Sequence, residues 1–217
     1  MPQNNDIIKV ISMKKGRFIV LDGVDGSGKG VQAKGLNNYI FDRDKTNHVV
    51  LTREPFNSEY YAQIRKILKE SSDPRARAEE LADLFVKDRK VHAIIIQWVL
   101  GHGFDVVSDR YKYSTLAYQQ TQGIALEKLI AMHQGVLVPD LILIIDIPVD
   151  VALARIAKDK GRDYKEVFEE KQFQEELRQN FLSLPKQLPD EKIVIVDGNR
   201  SPEEVFQSIK KEVDKIL

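Results

Sequence analysis

Phe18-Ile-Val-Leu-Asp-Gly-Val-Asp-Gly-Ser-Gly-Lys-Gly-Val-Gln32 is the stretch from which the rest of the chain can be read. Its first four residues, Phe18 to Leu21, are apolar on both faces and read as a buried strand. Gly23-Val-Asp-Gly-Ser-Gly28-Lys29 follows with the spacing G-x-x-x-x-G-K, and from Lys29 to Ile40 the pattern turns helical. Strand, glycine-rich turn and helix in that order form a cradle for phosphate oxygens. The glycines let successive backbone N–H groups converge, the helix start adds its positive end, and Lys29 supplies a point charge. Gly23, Asp25, Gly26, Ser27, Gly28, Lys29 and Gly30 form the candidate phosphate-binding set.

Outward from this stretch, short β-branched runs alternate with longer helical segments. Val49 to Thr52, Phe104 to Val107, Leu141 to Asp146 and Ile193 to Val196 read as further strands, most of them apolar on both faces. Helical periodicity covers Tyr60 to Leu68, Arg75 to Leu100, Thr115 to Gly135, Val149 to Ala157, Tyr164 to Leu182 and Pro202 to Ile216. This alternation predicts an α/β fold with a parallel sheet of roughly five strands and helices on both faces. Residues 1–14 read as an N-terminal extension and residues 15–217 as one domain, with a charged, exposed segment at about 155–170.

Composition narrows the function. The 217 residues are 42% hydrophobic and 30% charged, with 33 basic and 33 acidic side chains, so the chain supports a sizeable core and disorder is excluded as its main state. A formal charge of zero removes the global electrostatic case for nucleic acid or an anionic membrane as partner. No apolar run approaches the ~20 residues of a membrane span, and the N-terminus lacks the order of a signal peptide. Cysteine is absent, which excludes disulfides and thiolate chemistry and fits a cytoplasmic location.

One position departs from the phosphate-loop pattern. The hydroxyl residue that normally follows the lysine and ligates Mg2+ is replaced by Gly30, and Val31 offers none either. Asp109, at the end of the Phe104 strand, stands where parallel strands deliver metal ligands to the crevice. The alternative is a cap for the helix that follows.

Several blocks in order resemble the thymidylate kinase family of nucleoside monophosphate kinases. They are the opening stretch, Leu51-Thr-Arg-Glu-Pro55, Leu84-Phe-Val-Lys-Asp-Arg89, Asp109-Arg-Tyr-Lys-Tyr-Ser-Thr-Leu-Ala-Tyr-Gln119, and Pro139-Asp-Leu-Ile-Leu-Ile-Ile-Asp146 leading into Val151-Ala-Leu-Ala-Arg155. The resemblance implies a three-layer P-loop NTPase fold with a short charged lid. It also implies transfer of the ATP γ-phosphoryl group to dTMP with Mg2+, and a homodimer. Within it, Asp25 would accept a hydrogen bond from the sugar 3′-hydroxyl and Arg110 would hold the acceptor phosphate. Phe85 and Arg89, four residues apart on one helix face, would stack on thymine and bond its carbonyl. Thr115 falls near thymine N3, Tyr118 would crowd the ribose 2′-position, Pro55 would line the base pocket, and Arg53 completes the substrate-binding set.

Some members carry Arg in the phosphate loop where this chain has Gly26, and members with Gly there draw the transition-state cation from the lid. Arg155, Lys158, Lys160 and Arg162 occupy that segment, with Arg155 and Arg162 the first catalytic candidates beside Lys29 and Arg110. The block after Pro55, Phe-Asn-Ser, replaces the small, glycine-rich continuation of bacterial members. The four histidines need no catalytic role: His48 precedes a strand, and His92, His102 and His133, in or near helices, read as satisfied structural groups. Two alternatives stay open at this point: a kinase of another monophosphate, and a nucleotide-binding homologue without transfer activity.

Overall fold

The computed structural model describes residues 15–158, 168 and 170–217. Five strands, β1 (Phe18–Asp22), β2 (Val49–Arg53), β3 (Asp105–Asp109), β4 (Leu141–Asp146) and β5 (Ile193–Asp197), form one sheet in the order β2-β3-β1-β4-β5. Every pairing is parallel. Among the described residues, eight helices connect and cover them: α1 (Lys29–Arg43), α2 (Tyr61–Glu70), α3 (Ala78–Gly101), α4 (Lys112–Thr121), α5 (Leu126–Met132), α6 (Val149–Ala157), α7 (Lys171–Gln187) and α8 (Pro202–Val213).

The strand pleat divides the interior into two cores. Ile19 and Leu21 of β1, with Leu141, Leu143 and Ile145 of β4, pack beneath α1 and α8. Phe18 and Val20, with Ile142 and Ile144, face the larger layer built from α2 to α7. Strands β1 and β4 are thus apolar on both faces up to their terminal Asp22 and Asp146, as expected of a sheet covered on two faces. The edge strands correct that expectation: Val50 and Leu51 of β2 and Ile195 of β5 are exposed, because each edge has a neighbour on one side alone.

Several helix boundaries also differ from the sequence reading: α1 runs on from Ile40 to Arg43, and α3 starts at Ala78 where Arg75 was expected. The segment Thr115 to Gly135 is two helices, since Gly123 adopts φ +101° and the amide of Ile124 turns back to the carbonyl of Gln119 at 3.0 Å. Helix α7 begins at Lys171 and continues past Leu182 through Pro185 to Gln187; residues 164–167, read as its start, lie outside the described set. Helix α8 ends at Val213, before Ile216.

The carboxyl edge of the sheet is polar where the strands themselves are apolar. Register places Asp109 opposite both Leu21 and Arg53, and Asp146 opposite Asp197. The phosphate loop leaves β1 at this edge, which is where open parallel sheets bind ligands.

Candidate active site

The loop between β1 and α1 takes its shape from glycine. Gly23, Gly26 and Gly28 have φ of +137°, +77° and +88°. A Cβ at Gly26 would lie 2.6 Å from the Ala152 carbonyl oxygen, so the α6 backbone itself leaves no room for a side chain there. Lys29 is 7% exposed, and its Nζ donates to the Val24 carbonyl at 3.1 Å and sits 3.5 Å from Asp25. Burial lowers its pKa, Arg110 adds to that, and Asp25, Asp109 and Asp22 oppose it.

Beside the loop opens a cleft of about 380 Å³, lined among others by Asp25, Arg53, Pro55, Phe85, Arg89, Arg110, Thr115 and Tyr118. All the substrate-binding residues expected from sequence therefore meet on one wall system, although they come from the phosphate loop, β2, α3, β3 and α4. Asp25 is the link between loop and cleft. Its Oδ1 accepts from the Arg110 guanidinium and lies 3.5 Å from Lys29 Nζ, while its Oδ2 accepts from the Tyr118 hydroxyl at 3.0 Å. Burial alone would lower the pKa of Arg110, but Asp25, Tyr118, Asp22 and Asp109 around it hold it well above its ordinary value. Arg110 stays a fixed positive charge.

Comparison with known proteins places the chain in a family. The sequence profile of the family described as thymidylate kinase covers residues 21–209. The chain belongs to the thymidylate kinase family. A probable thymidylate kinase of Pyrococcus horikoshii is 40% identical over 186 residues, which are 83% of this chain and 88% of that protein. One of Thermococcus gammatolerans is 36% identical over 202 residues, 89% and 94% of the two chains. The thymidylate kinase of Carboxydothermus hydrogenoformans is 34% identical over 203 residues, 90% and 96%.

Arg110, expected from sequence to hold the acceptor phosphate, is held in place with the help of a residue that sequence reasoning missed. Its backbone has φ +74°, a left-handed conformation that a non-glycine residue keeps only when its surroundings enforce it. Its amide donates to the Leu21 carbonyl at 2.9 Å, and its carbonyl accepts from the Ser108 hydroxyl at 2.7 Å. Asp22, fully buried at the end of β1, accepts from the amides of Tyr111 at 3.2 Å and Ser114 at 2.9 Å and from the Ser114 hydroxyl at 2.7 Å. Ser114 in turn accepts from Arg110 Nη1 at 2.8 Å. Burial raises the Asp22 pKa against the pull of Arg110 and these hydrogen bonds. Asp22 is thus the carboxylate that meets the start of α4. Asp109 makes no capping bond there, so the helix-cap role does not apply to it.

Asp109 points elsewhere. Its Oδ2 lies 3.0 Å from where a Cβ on Gly30 would stand, and its Oδ1 is buried with no hydrogen-bond partner among the described residues. A hydroxyl at position 30 would have faced this same carboxylate. Mg2+ retains waters and takes one or two carboxylates beside substrate phosphates, so an unsatisfied carboxylate oxygen at the phosphate loop fits it, although no cluster of three metal-ligating side chains occurs among the described residues.

Of the lid cations, Arg155 lies in the last turn of α6 and donates to the carbonyls of Gly26 and Gly198, each at 3.4 Å. Lys158 is exposed just beyond the helix; Lys160 and Arg162 lie outside the described residues. Phe168 does reach the cleft wall, stacked on Phe173 at 5.1 Å and edge-on to Tyr118 at 5.3 Å. Neither Phe168 nor Glu54 was marked by the sequence. Glu54 is buried in an ion pair with Arg89 at 2.7 Å, and the only hint was an acidic residue between Arg53 and Pro55. The histidine reading holds for His92, His102 and His133, each of which has a hydrogen-bond partner.

Proposed function

We propose that this thymidylate kinase family member works as a domain spanning 15–217, with 1–14 as an extension and a lid near 155–170, and that it transfers the ATP γ-phosphoryl group to dTMP to give dTDP for dTTP synthesis. The observation that carries the reading is Asp25, which touches Lys29 of the phosphate loop and both Arg110 and Tyr118 of the cleft. Donor and acceptor phosphates held on the two sides of that carboxylate are brought into line. The acceptor oxygen is already anionic at neutral pH, with a second phosphate pKa of about 6, so no general base is required. The bond from the γ-phosphorus to the bridging oxygen of ATP breaks, its electron pair leaves with ADP, and the dTMP oxygen takes its place on phosphorus.

Catalysis then reduces to positioning and charge neutralisation. Lys29 and the loop amides from Gly23 to Gly30 receive the donor phosphates, and Arg110 receives the acceptor phosphate. Phe85 stacks on the base, Pro55 and Arg53 close its wall, Arg89 and Thr115 meet its polar edge, and Tyr118 blocks a ribose 2′-hydroxyl. Arg155 and Arg162 bring charge to the transferred group as the lid excludes water. Mg2+ would be held through Asp109, and it supplies charge neutralisation at the donor phosphates.

No helix among the described residues is long and apolar enough to cross a membrane, and the cytoplasm is the proposed location. A homodimer is proposed as well. Ile94, Ile95 and Trp98 on α3 are 69%, 44% and 62% exposed, and Ile94 and Trp98 are four residues apart on one face. Light scattering should give twice the chain mass for the wild type and the single mass for Trp98→Lys; a monomeric wild type refutes the dimer.

ADP release measured with dTMP, dUMP, dCMP, dGMP and UMP tests the activity. dTMP should exceed dUMP by only about fourfold, since a buried methyl is worth ~0.8 kcal/mol, and UMP should fall far below dUMP if Tyr118 guards the sugar. Release with no monophosphate would leave a nucleotide-binding protein without transfer.

A further inference from the structure

Arg89 is 2% exposed, and the protein meets its guanidinium at every edge. Glu54 Oε2 lies 2.7 Å from both Nε and Nη2, the Tyr111 carbonyl accepts from Nη2 at 3.2 Å, and Nη1 faces two partners. These are Thr115 Oγ1 at 3.1 Å and His133 Nε2 at 2.6 Å. Glu54 and Thr115 share the cleft wall with Arg89, whereas His133 reaches the guanidinium from behind. It lines a separate cavity of about 320 Å³ between α4, α5 and the turn before β4.

The roles at His133 follow from its partners. A guanidinium nitrogen has no lone pair to offer, so Nε2 accepts. The Leu129 carbonyl, 2.7 Å from Nδ1, has no proton, so Nδ1 carries one. The ring is neutral and in the Nδ1–H form. Burial first, and then Arg89, pushes its pKa down to about 3, which keeps the acceptor in place through the neutral range.

We infer that His133 is a positioning residue for reading the acceptor base, fixing the Nη1 edge of Arg89 against Thr115 so that the Thr115 hydroxyl is held with its O–H toward a base carbonyl. The inference rests on the reading of this cleft as the dTMP site. Thr115 already accepts from Arg89, and its own O–H has no acceptor among the described residues, which leaves that proton for the ligand. A carbonyl, as in thymine, accepts from that hydroxyl; the exocyclic amine of cytosine would meet a donor. Without the His133 lone pair, a buried N–H of a charged group loses its acceptor, and the guanidinium is free to turn from Thr115.

Two measurements test this. ¹⁵N-histidine NMR of the wild type, with the His133 signal identified by its loss in His133→Gln, should show a protonated Nδ1 and a bare Nε2 at neutral pH. An Nε2–H ring or a doubly protonated one overturns the inference and needs no variant that threatens the fold. In kinetics, His133→Leu should raise the dTMP KM about tenfold, leave kcat within twofold and narrow the preference for dTMP over dCMP, while His133→Gln, which restores a carbonyl acceptor, should recover most of both. A His133→Leu enzyme with wild-type KM and preference, or a Gln variant as impaired as the Leu one, overturns the role. A wild type that rejects dTMP overturns the reading of the cleft and with it the function given to His133, whereas dTMP turnover that ignores the His133→Leu change overturns His133 alone.

Discussion

Lys29 shows how one side chain joins local sequence to chemistry. Its position in the motif is the basis of the role proposed for it, and the structure adds that it is held by the Val24 carbonyl within its own loop and flanked by Asp25. Lys29→Ala removes the point charge at the donor phosphates, and loss of such a contact costs roughly a hundredfold or more in kcat. Turnover measured on a variant whose melting temperature matches the wild type decides it; near-normal turnover removes Lys29 from the mechanism. Residues of this kind were legible because their function depends on neighbours a few positions away. Asp22, Glu54 and His133 were not, because each acts on a partner distant in sequence: Ser114 is 92 residues from Asp22, and Arg89 is 35 from Glu54 and 44 from His133. A buried carboxylate closing a strand, or a lone histidine after a helix, looks the same in sequence whether it anchors an arginine or nothing.

At the level of elements, the strands are legible nearly to the residue, because a short, β-branched apolar run bounded by polar residues matches a buried strand and little else. Helix ends are less legible. Gly123 is a single glycine between two segments of helical pattern, Thr115 to Gln122 and Ile124 onward, and Pro185 sits close enough to the end of α7 for the helix to pass through it. Helix α6 has the most to test. It passes Ala152 against Gly26 and delivers Arg155 to the carbonyls of Gly26 and Gly198, so the helix that bars an arginine from the loop also brings one to it. Single alanine variants at Arg155, Lys158, Lys160 and Arg162 should include at least one whose kcat falls roughly a hundredfold with kcat/KM falling in step, the mark of a contact made in the transition state. A solvated charge changes neither. If all four keep turnover within a few fold, the lid cations are not catalytic, and Lys29 with Mg2+ carries the charge.

Over the whole molecule, the two apolar cores stabilise the fold while the polar groups that orient the site are buried in its larger layer, so site geometry and global stability are linked through protons. His133 is the clearest case. Its pKa falls from the ordinary 6.5 to about 3 on folding, chiefly by burial and then by Arg89, with Lys112 and Lys90 adding to the effect and the Leu129 carbonyl opposing it. An unfolded chain therefore binds a proton at His133 below pH 6.5 that the native chain refuses until about pH 3. Stability from this group is fully present above 6.5 and is lost as pH falls toward 3, by ~1.4 kcal/mol per pH unit. Asp22 and Asp88, whose pKa values burial raises, act in the opposite sense, since they take up protons in the native state first. Comparison of the wild type with His133→Gln cancels those contributions, because both proteins carry the same carboxylates. Denaturant unfolding at about pH 7.5 and about pH 5 should show the wild type losing about 2 kcal/mol more than the Gln variant between the two conditions. Parallel pH profiles would mean that His133 is not held neutral against Arg89 in the folded protein.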